Sequence, residues 1–289
     1  MKKTILGKTE MEVSRIIYGG IVSMNDGQDN SDKYVKFAID NGVNYFDIAP
    51  TYGDAQEKLG NSLAPYRKDV FLACKTMERS GEKAKQELEN SFKLLQTDYF
   101  DVYQMHSLFN VKDVENAFKN DGAFKVMLKA KEDGLVKHLG VTCHSEDAAL
   151  RALELYDFDT VLFPTNWGLN ICKGFGTRIS AKCKEKNVGF LGMKSMIQRA
   201  WLNEEEKKAS RFPKSWCMPI TDNKVFTISA MKYAYQKIGA DVLVPPGNIE
   251  NFTFAIENID EILSPLTQSE LDFLMQESKK LEGHYFFDV

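Results

Sequence analysis

The feature that most constrains the fold is an alternation of short and long segments along the chain. Eight short runs rich in β-branched and aromatic residues are separated by longer stretches, several with helical period. Strands that alternate with helices favour a mainly parallel sheet, because each helical crossover returns over a face of the sheet. The runs are Ser14–Tyr18, Tyr45–Ile48, Val70–Cys74, Tyr99–Gln104, Lys137–Val141, Thr160–Phe163, Gly189–Met193 and Asp241–Val244.

Helix signals occupy the stretches between these runs. Ser145 is a favoured N-cap residue, and two acidic residues follow it at the positive end of the helix dipole. Thr267 and Glu270 have the spacing of a capping box, which predicts a further helix near the C-terminus. The other predicted helices cover Lys83–Leu95, Ser145–Leu155, Gly174–Lys186, Phe226–Ile238 and Asn248–Asn258.

A length of 289 residues suits either two small domains or one large α/β domain. Eight strand–helix repeats without a second zone of composition favour a single (β/α)8 barrel over residues 1–289. The alternative is an open doubly wound sheet, which would have a Gly-rich turn after its first strand. The segment Tyr18–Val22 lacks the GxGxxG spacing of that turn, so the barrel is the favoured fold.

Two segments depart from the alternation. Thr4–Glu12 precedes the first repeat, and we predict that it forms a short hairpin closing the N-terminal end of the barrel. Met196–Lys224 is a long polar segment after the seventh strand. Loops of this length are uncommon unless they are functional or disordered. Because a loop that follows a barrel strand lies on the catalytic face, we interpret this one as a cover over bound ligand.

Composition excludes several classes of function. The formal net charge is −4 with both signs interspersed, so nothing predicts a nucleic-acid or anionic-lipid partner. The basic N-terminus has no apolar region after it, and no apolar run approaches the length of a membrane span. Five cysteines without a CxxC pair suggest reduced thiols in a cytoplasmic protein and no metal centre.

Four polar residues follow predicted strands in the first half of the chain. Asp47 ends the second strand, Tyr52 lies in the loop behind it, Lys75 ends the third strand and His106 ends the fourth. The carboxyl ends of barrel strands face one cavity, so we expect these side chains to converge. Each residue alone has an ordinary structural explanation, and it is their joint occurrence that favours a site.

These residue types suit proton transfer. A free tyrosine has a pKa of about 10, which is too high for an efficient acid near neutrality. A neighbouring ammonium lowers that pKa, and Lys75 is the candidate, with Asp47 as its counter-charge. His106 can orient a substrate oxygen or relay a proton. Neither a nucleophile–base pair nor a pair of hydrolytic carboxylates is evident, so the set favours proton delivery to an oxygen whose carbon receives a hydride.

The four residues resemble, in order and spacing, the catalytic tetrad of the aldo-keto reductase superfamily. The resemblance extends to the Phe46–Gly53 run, to Gly134–Val141 and to Ile256–Asn258. It implies a (β/α)8 barrel that binds a nicotinamide cofactor in extended form. It further implies that Tyr52 is the general acid or base, tuned by Lys75 and Asp47, and that His106 positions the carbonyl.

The resemblance also implies cofactor contacts. Thr142 and Cys143 occupy the place where the family commonly has Ser-Asn holding the nicotinamide carboxamide, and Asn166 is near a position with the same task. Met193 stands where many members stack a tyrosine, and Glu257 and Asn258 match the pair that reads the adenine. The full implied set is Gly20, Ile21, Asp47, Thr142, Cys143, Asn166, Met193, Lys194, Gly247, Asn248, Glu257 and Asn258.

The choice between NADP(H) and NAD(H) stays open at this point. NADP is the default of the family, but residues 241–278 contain no Lys or Arg to pair with a 2′-phosphate. One alternative is NAD, with Glu250 or Asn248 near the ribose. In the other, a phosphate is held by helix N-terminal amides at Asn248–Asn251 or by a cation of the long segment. Those cations are Arg199, Lys207, Lys208 and Arg211.

We therefore expect an NAD(P)-dependent oxidoreductase that reduces an aldehyde or ketone to an alcohol, or runs in reverse. Two alternatives are a cofactor-binding redox sensor or accessory subunit with little turnover, and a barrel of unrelated chemistry. Aromatic residues in the loops suggest an apolar or ring-bearing small-molecule substrate. Trp167 at a strand end and the Tyr285–Phe287 tail are further candidates for the pocket wall.

Overall fold

The computed structural model of the chain describes residues 1–281 and residue 285. Eight parallel strands form one sheet with helices between successive strands, which confirms the predicted (β/α)8 barrel. The strands are β1 (Lys3–Ile5), β2 (Glu12–Ser14), β3 (Tyr18–Gly19), β4 (Tyr45–Asp47), β5 (Phe71–Thr76), β6 (Phe100–Leu108), β7 (Val136–Cys143), β8 (Thr160–Pro164), β9 (Gly189–Met193), β10 (Ile197–Arg199), β11 (Met218–Pro219) and β12 (Val242–Val244).

Helices cover the outside of the sheet. They are α1 (Gln28–Asp40), α2 (Ala55–Leu63), α3 (Gly81–Leu95), α4 (Val111–Ala117), α5 (Ala123–Glu132), α6 (Glu146–Leu155), α7 (Trp167–Lys173), α8 (Thr177–Lys186), α9 (Glu204–Ala209), α10 (Lys224–Tyr233), α11 (Ile249–Glu257), α12 (Ile259–Ile262) and α13 (Gln268–Ser278). A π-helical turn over Ala234–Ile238 extends α10.

The barrel strands run in the order β12-β9-β8-β7-β6-β5-β4-β3. Backbone hydrogen bonds close the ring: the amide of Ile17 donates to Leu243 over 3.1 Å, and the amide of Leu243 donates to Arg15 over 2.9 Å. Closure leaves this sheet without an open edge. All eight predicted runs lie at barrel strands. The first predicted run, Ser14–Tyr18, starts too early, since the pairing of β3 with β4 begins only at Tyr18 and Ser14 pairs with Lys3 in the N-terminal hairpin.

The hairpin predicted over Thr4–Glu12 is confirmed as the antiparallel pair β1 and β2. Leu6 in its connection is fully buried and packs among side chains that fill the barrel interior. A Cβ atom on Gly189 would lie 2.6 Å from Leu6 Cγ, so the first residue of β9 must be small. Burial of a leucine side chain contributes about 1.5–3 kcal/mol, which helps to hold this end of the barrel closed.

Several predicted helix starts are confirmed by their caps. The Ser145 side chain accepts a hydrogen bond from the amide of Ala148, and Thr267 forms the predicted capping box with Glu270. The helix expected from Gly174 begins later, at Thr177. The reason is that Gly174 and Gly176 have φ angles of 66° and 93°, left-handed conformations that end α7 before α8 can start.

The long segment after β9 has structure of its own. It contains the antiparallel pair β10 and β11 and the short helix α9, whose N-cap is Asn203. The ammonium of Lys214 ties it across the barrel mouth, donating to Asp26 Oδ2 over 2.6 Å and to the carbonyls of Val22 and Met24. Within the described part of the chain, no helix combines the length and apolar character needed to span a membrane.

Candidate active site

A buried ion pair joins the ends of two neighbouring strands. Lys75 Nζ on β5 lies 2.5 Å from Asp47 Oδ2 at the end of β4 and also donates to the carbonyl of Ile48 over 3.2 Å. Lys75 is fully buried and Asp47 is 2% exposed. Burial has the largest single effect and acts to lower the pKa of Lys75, but the charge of Asp47, the nearby Tyr52 and the hydrogen bond to Asp47 together outweigh it, so the pKa is raised. The ammonium therefore stays charged at neutral pH.

Two further polar side chains extend this pair into a network that the sequence did not reveal. Gln104 on β6 donates to the second oxygen of Asp47 over 2.8 Å. The hydroxyl of Thr142 on β7 donates to Gln104 Oε1 over 3.0 Å. All four groups are buried. The sequence did contain one indication of Gln104, which stands two residues before His106. Because side chains alternate between the two faces of a strand, both residues lie on the same face of β6.

Tyr52 lies in the turn that follows β4. Its backbone amide donates to Ala49 over 3.1 Å and its carbonyl accepts from Ala55 over 3.0 Å. Gly53 follows with a φ of +54°, the left-handed region that favours glycine. The turn brings the phenol ring to 5.4 Å from Lys75 Nζ, measured at the ring centroid. The tyrosine, lysine and aspartate of the predicted tetrad are thus brought together.

The pKa of Tyr52 differs in direction from the expectation. Burial raises it above the ordinary value, and although the nearby Lys75 ammonium acts to lower it, the net shift is upward. Desolvation of the phenolate thus outweighs the attraction of the ammonium, which Asp47 partly neutralises. Tyr52 is therefore protonated at neutral pH, the state of a proton donor.

His106 completes the group on β6. Its ring is nearly perpendicular to that of Tyr52, with centroids 5.8 Å apart. Burial, reinforced by the charge of Lys75, holds the pKa of His106 well below its ordinary value, so the imidazole is neutral. Its Nδ1 is buried and has no hydrogen-bond partner among the described residues.

Arg79 is hydrogen-bonded to the end of the strand that carries His106, a contact that the sequence did not suggest. Its guanidinium donates to the carbonyls of His106 and Ser107 over 2.8 and 3.1 Å. Ser107 has a φ of +54°, and the register between β6 and β7 shifts at this point. The arginine thus holds an irregular turn in place and fixes the imidazole beside it.

A cavity of about 90 Å³ opens in front of Tyr52. Its walls come from the connections that follow β3, β4, β9 and β12 and from the long segment. Trp216 of that segment lies with its ring centroid 6.0 Å from that of Tyr52. Trp167, expected in the wall, is fully buried and donates to Ile197 instead. The lining includes Gly19, Ile21, Asp47, Tyr52, Met193, Lys194, Lys214, Trp216 and Gly247.

Asn166 holds the turn after β9. Its Oδ1 caps α7 at Leu169, and its Nδ2 donates to the carbonyls of Lys194 and Ile197 over 3.1 and 2.7 Å. The side-chain amide of Asn166, which the resemblance implies would hold the nicotinamide carboxamide, is therefore already hydrogen-bonded within the protein. These hydrogen bonds also present Lys194, with a φ of +64°, to the cavity beside Met193. Burial lowers the pKa of Lys194.

Of the remaining residues implied as cofactor contacts, some lie at the barrel mouth and others lie away from the cavity. Ile21 and Gly247 meet across the barrel mouth, since a Cβ atom on Gly247 would lie 2.1 Å from Ile21 Cγ2. Gly20, which opens the 3-10 turn after β3, is packed against Ile48. Thr142 and Cys143 do not line the cavity: Thr142 is used by Gln104, and Cys143 is fully buried behind the strand.

A second cavity of about 330 Å³ lies beside the start of α11. Glu250 and Asn251 line it. The resemblance implies adenine contacts at Glu257 and Asn258, and these two residues lie at the far end of the helix. There the side chain of Asn258 donates to the backbone carbonyl of Phe254 over 2.8 Å. The tripeptide Ile-Glu-Asn occurs twice, at 249–251 and 256–258, and the structure places the first copy at a cavity.

Comparison with known proteins agrees with this architecture. The model of the aldo/keto reductase family matches residues 15–238. The barrel fold and the extent of this match define the class of the protein. The chain belongs to the aldo-keto reductase family.

Individual relatives are distant. Aldo-keto reductase YhdN of Bacillus subtilis (strain 168) is 30% identical over 161 residues, which cover 49% of this chain and 47% of the relative. L-galactose dehydrogenase of Arabidopsis thaliana is 26% identical over 47% of each chain. The chain spans about half the length of these curated relatives.

Among solved structures, the aldo-keto reductase AKR11C1 from Bacillus halodurans, in its holo form, superposes with a TM-score of 0.73. The match covers 97% of this chain and 96% of that one at 20% identity. At this identity the likeness supports the fold alone.

Proposed function

We propose that the protein is an NAD(P)-dependent oxidoreductase that reduces an aldehyde or ketone to an alcohol, or catalyses the reverse, with Tyr52 as proton donor. The observation that carries the proposal is the buried Asp47–Lys75 pair beside Tyr52, which itself faces a cavity. The aldo-keto reductase and dehydrogenase relatives support the same class of chemistry. A bound nicotinamide would supply or accept the hydride.

The residues present fit such a cofactor. Lys194 places a cation in the wall of the cavity in front of Tyr52, which suits a pyrophosphate. Asn248 and Asn251 keep buried Nδ2 atoms that have no partner among the described residues, as expected where a ligand supplies the acceptors. Both asparagines belong to the β12–α11 connection and helix, which reach from one cavity to the other.

Tyr52 would give its proton to the carbonyl oxygen as the hydride arrives at the carbon. The phenolate left behind lies beside the Lys75 ammonium, whose charge stabilises it. Asp47 keeps that ammonium charged, and Gln104 holds Asp47 in place through its second oxygen. A positioned proton donor contributes about 10²- to 10⁴-fold to a rate.

His106 would orient the substrate oxygen. As a neutral imidazole it carries one N–H that can donate to that oxygen without adding charge. Trp216 and Met193 add apolar side chains to the wall of the same cavity. A substrate bound against this wall would displace water and so strengthen the attraction between Lys75 and the forming phenolate.

The proposal is tested by carbonyl-dependent oxidation of NADH and NADPH over a panel of aldehydes, ketones and sugars, with Tyr52→Phe beside wild type. We expect the variant to lose at least about 100-fold in kcat/KM. Its affinity for the dinucleotide, measured by quenching of tryptophan fluorescence, should be unchanged. Tyr66→Phe, which changes a tyrosine outside both cavities, is the matched control and should keep full activity.

Two outcomes would reject catalysis by Tyr52. Binding of both dinucleotides with no reduced product would favour the sensor or accessory role. Absence of any dinucleotide binding would mean that the barrel serves unrelated chemistry.

A further inference from the structure

A third cavity lies at the N-terminal face of the barrel, at the opposite end from Tyr52. We call it the hairpin pocket, and its lining residues are Lys2, Lys3, Arg15, Tyr235, Gln236, Leu263 and Pro265. Its volume of about 420 Å³ falls in the range of ligand pockets. Among the described residues that line it, three are cations and none is a carboxylate, in a chain whose formal net charge is −4.

Arg15 is held in place from two sides. Its guanidinium lies over the ring of Tyr235, with Cζ 4.4 Å from the ring centroid, and the Tyr235 hydroxyl donates to the Arg15 carbonyl over 2.5 Å. The amide of Leu243 donates to the same carbonyl over 2.9 Å, so Arg15 belongs to the backbone bonds that close the barrel. Stacking covers one face of the guanidinium and leaves its planar edge for hydrogen bonds.

The Arg15 side chain lacks the partners that a buried cation normally has. Its Nε atom is buried without an acceptor among the described residues, and Arg15 forms no ion pair within residues 1–281. Burial raises the pKa of Asp241, while the amide of Phe190 and the charge of Arg15 act to lower it. Asp241 thus acts on Arg15 without pairing with it, and it lines a different cavity. Such an arginine is expected where a ligand supplies acceptors.

The two lysines of the hairpin pocket have partners that an anion could replace. Lys2 Nζ lies 3.3 Å from Asp260 Oδ1, in a pair whose side chains are 61% and 85% exposed. Lys3 Nζ lies 4.0 Å from Glu12 Oε2, at the limit of an ion pair. Exposed pairs of this kind are weak, so both lysines can turn to an anion in the pocket at little cost.

The opposite wall is built on an irregular helix end. Tyr235 and Gln236 belong to the π-helical turn Ala234–Ile238, and such turns are rare and often occur at functional sites. The side chain of Gln236 is hydrogen-bonded to the connection between α12 and α13. That connection supplies Leu263 and Pro265, which give the pocket an apolar side.

We propose that the hairpin pocket is a second ligand site, which binds a small organic phosphate. The phosphate would lie at Lys2, Lys3 and Arg15, and the carbon body would lie against Leu263 and Pro265. A planar guanidinium matches two phosphate oxygens, and three cations suit the charge of nearly −2 on a phosphate monoester. The inference does not depend on the proposed function, because the pocket shares no residue with the Tyr52 cavity.

The test is isothermal titration calorimetry of the full chain with inorganic phosphate and with phenyl phosphate, at an ionic strength held constant with NaCl. We expect phenyl phosphate to bind more tightly, because its ring can cover the apolar side of the pocket. Arg15→Gln should weaken its binding at least about tenfold, the effect of losing a charge-assisted hydrogen bond. Lys3→Gln should weaken it several-fold.

The control and the second variant keep the test decisive. Lys129→Gln makes the same change of charge at an exposed lysine of α5, outside the pocket, and should bind phenyl phosphate like wild type. Arg15 packs on Tyr235, so if Arg15→Gln lowers the melting temperature, Lys3→Gln carries the comparison. Bound phenyl phosphate should also raise the melting temperature of wild type and Lys129→Gln more than that of Lys3→Gln.

Weakening by both pocket variants but not by the control supports the site. Absence of saturable binding to wild type overturns it, and so does equal weakening by Lys129→Gln. Binding that survives both pocket variants but is lost in Lys194→Gln would place the phosphate in the Tyr52 cavity and overturn the inference as well. Tighter binding of succinate than of phenyl phosphate would overturn the assignment to a phosphate.

Discussion

The polar cluster beside Tyr52 and the ion pairs at the barrel mouth both join a cation to a carboxylate, but the first is buried and the second is exposed. Lys75 and Asp47 are buried, and a third strand supplies Gln104 to the remaining oxygen. Arg211 and Asp222 are mostly exposed and touch through a single short contact. A buried charge that loses its partner is costly, whereas an exposed pair exchanges partners at little cost.

Because of this difference in burial, we expect the two regions to have different functions. The buried cluster has one arrangement, so it can hold Lys75 and Tyr52 in the geometry that proton transfer requires. The pairs of the long segment can be replaced by contacts to a ligand. We therefore expect chemistry to depend on the strand ends and selection of the dinucleotide to depend on the mouth.

The largest effect should come from breaking the buried pair. Lys75→Met leaves Asp47 buried without its counter-charge, and we expect a loss of about 3–5 kcal/mol in the free energy of unfolding. Urea denaturation followed by circular dichroism measures it. The double variant Lys75→Met/Asp47→Leu should recover much of that stability while remaining inactive. Equal stability of the single and double variants would show that the pair is not tightly coupled.

An intermediate effect should appear on acidification. Burial lowers the pKa of His106 well below its usual range and that of His144 to about 3, so the unfolded chain binds more protons below about pH 6.5. Stability should therefore fall as pH falls, by about 2 kcal/mol for each histidine between pH 7 and pH 5. His144→Gln should show a shallower fall in urea denaturation. An identical slope in wild type and variant would contradict the burial of this imidazole.

The smallest effect should come from the exposed pair. Arg211→Gln removes the contact with Asp222, and we expect the free energy of unfolding to change by at most about 1 kcal/mol. Thermal unfolding of the variant beside wild type measures it. A larger loss would show that the long segment is anchored through this pair and would erase the distinction between the two regions.

Much of the barrel was predictable because its signals are local. The β-branched runs, the Ser145 cap and the Thr267 capping box each depend on a few neighbouring residues. The late start of α8 was missed, since the glycines before it took left-handed conformations that end one helix first. The internal structure of the long segment was missed as well, because its short strands β10 and β11 lie far apart in the sequence and carry little pattern of their own.

The convergence of Asp47, Tyr52, Lys75 and His106 followed from the sequence alone, because strand ends of one barrel share a face. Tertiary structure decided the rest. Gln104 lies against Asp47, and Asn166 donates to the carbonyl of Lys194. Trp216 rather than Trp167 lines the cavity in front of Tyr52, and Glu250 lines the second cavity. These outcomes depend on which side chains meet across distant segments and on how deeply burial desolvates them. Neither is written in local periodicity, and the raised pKa of Tyr52 follows from the same desolvation.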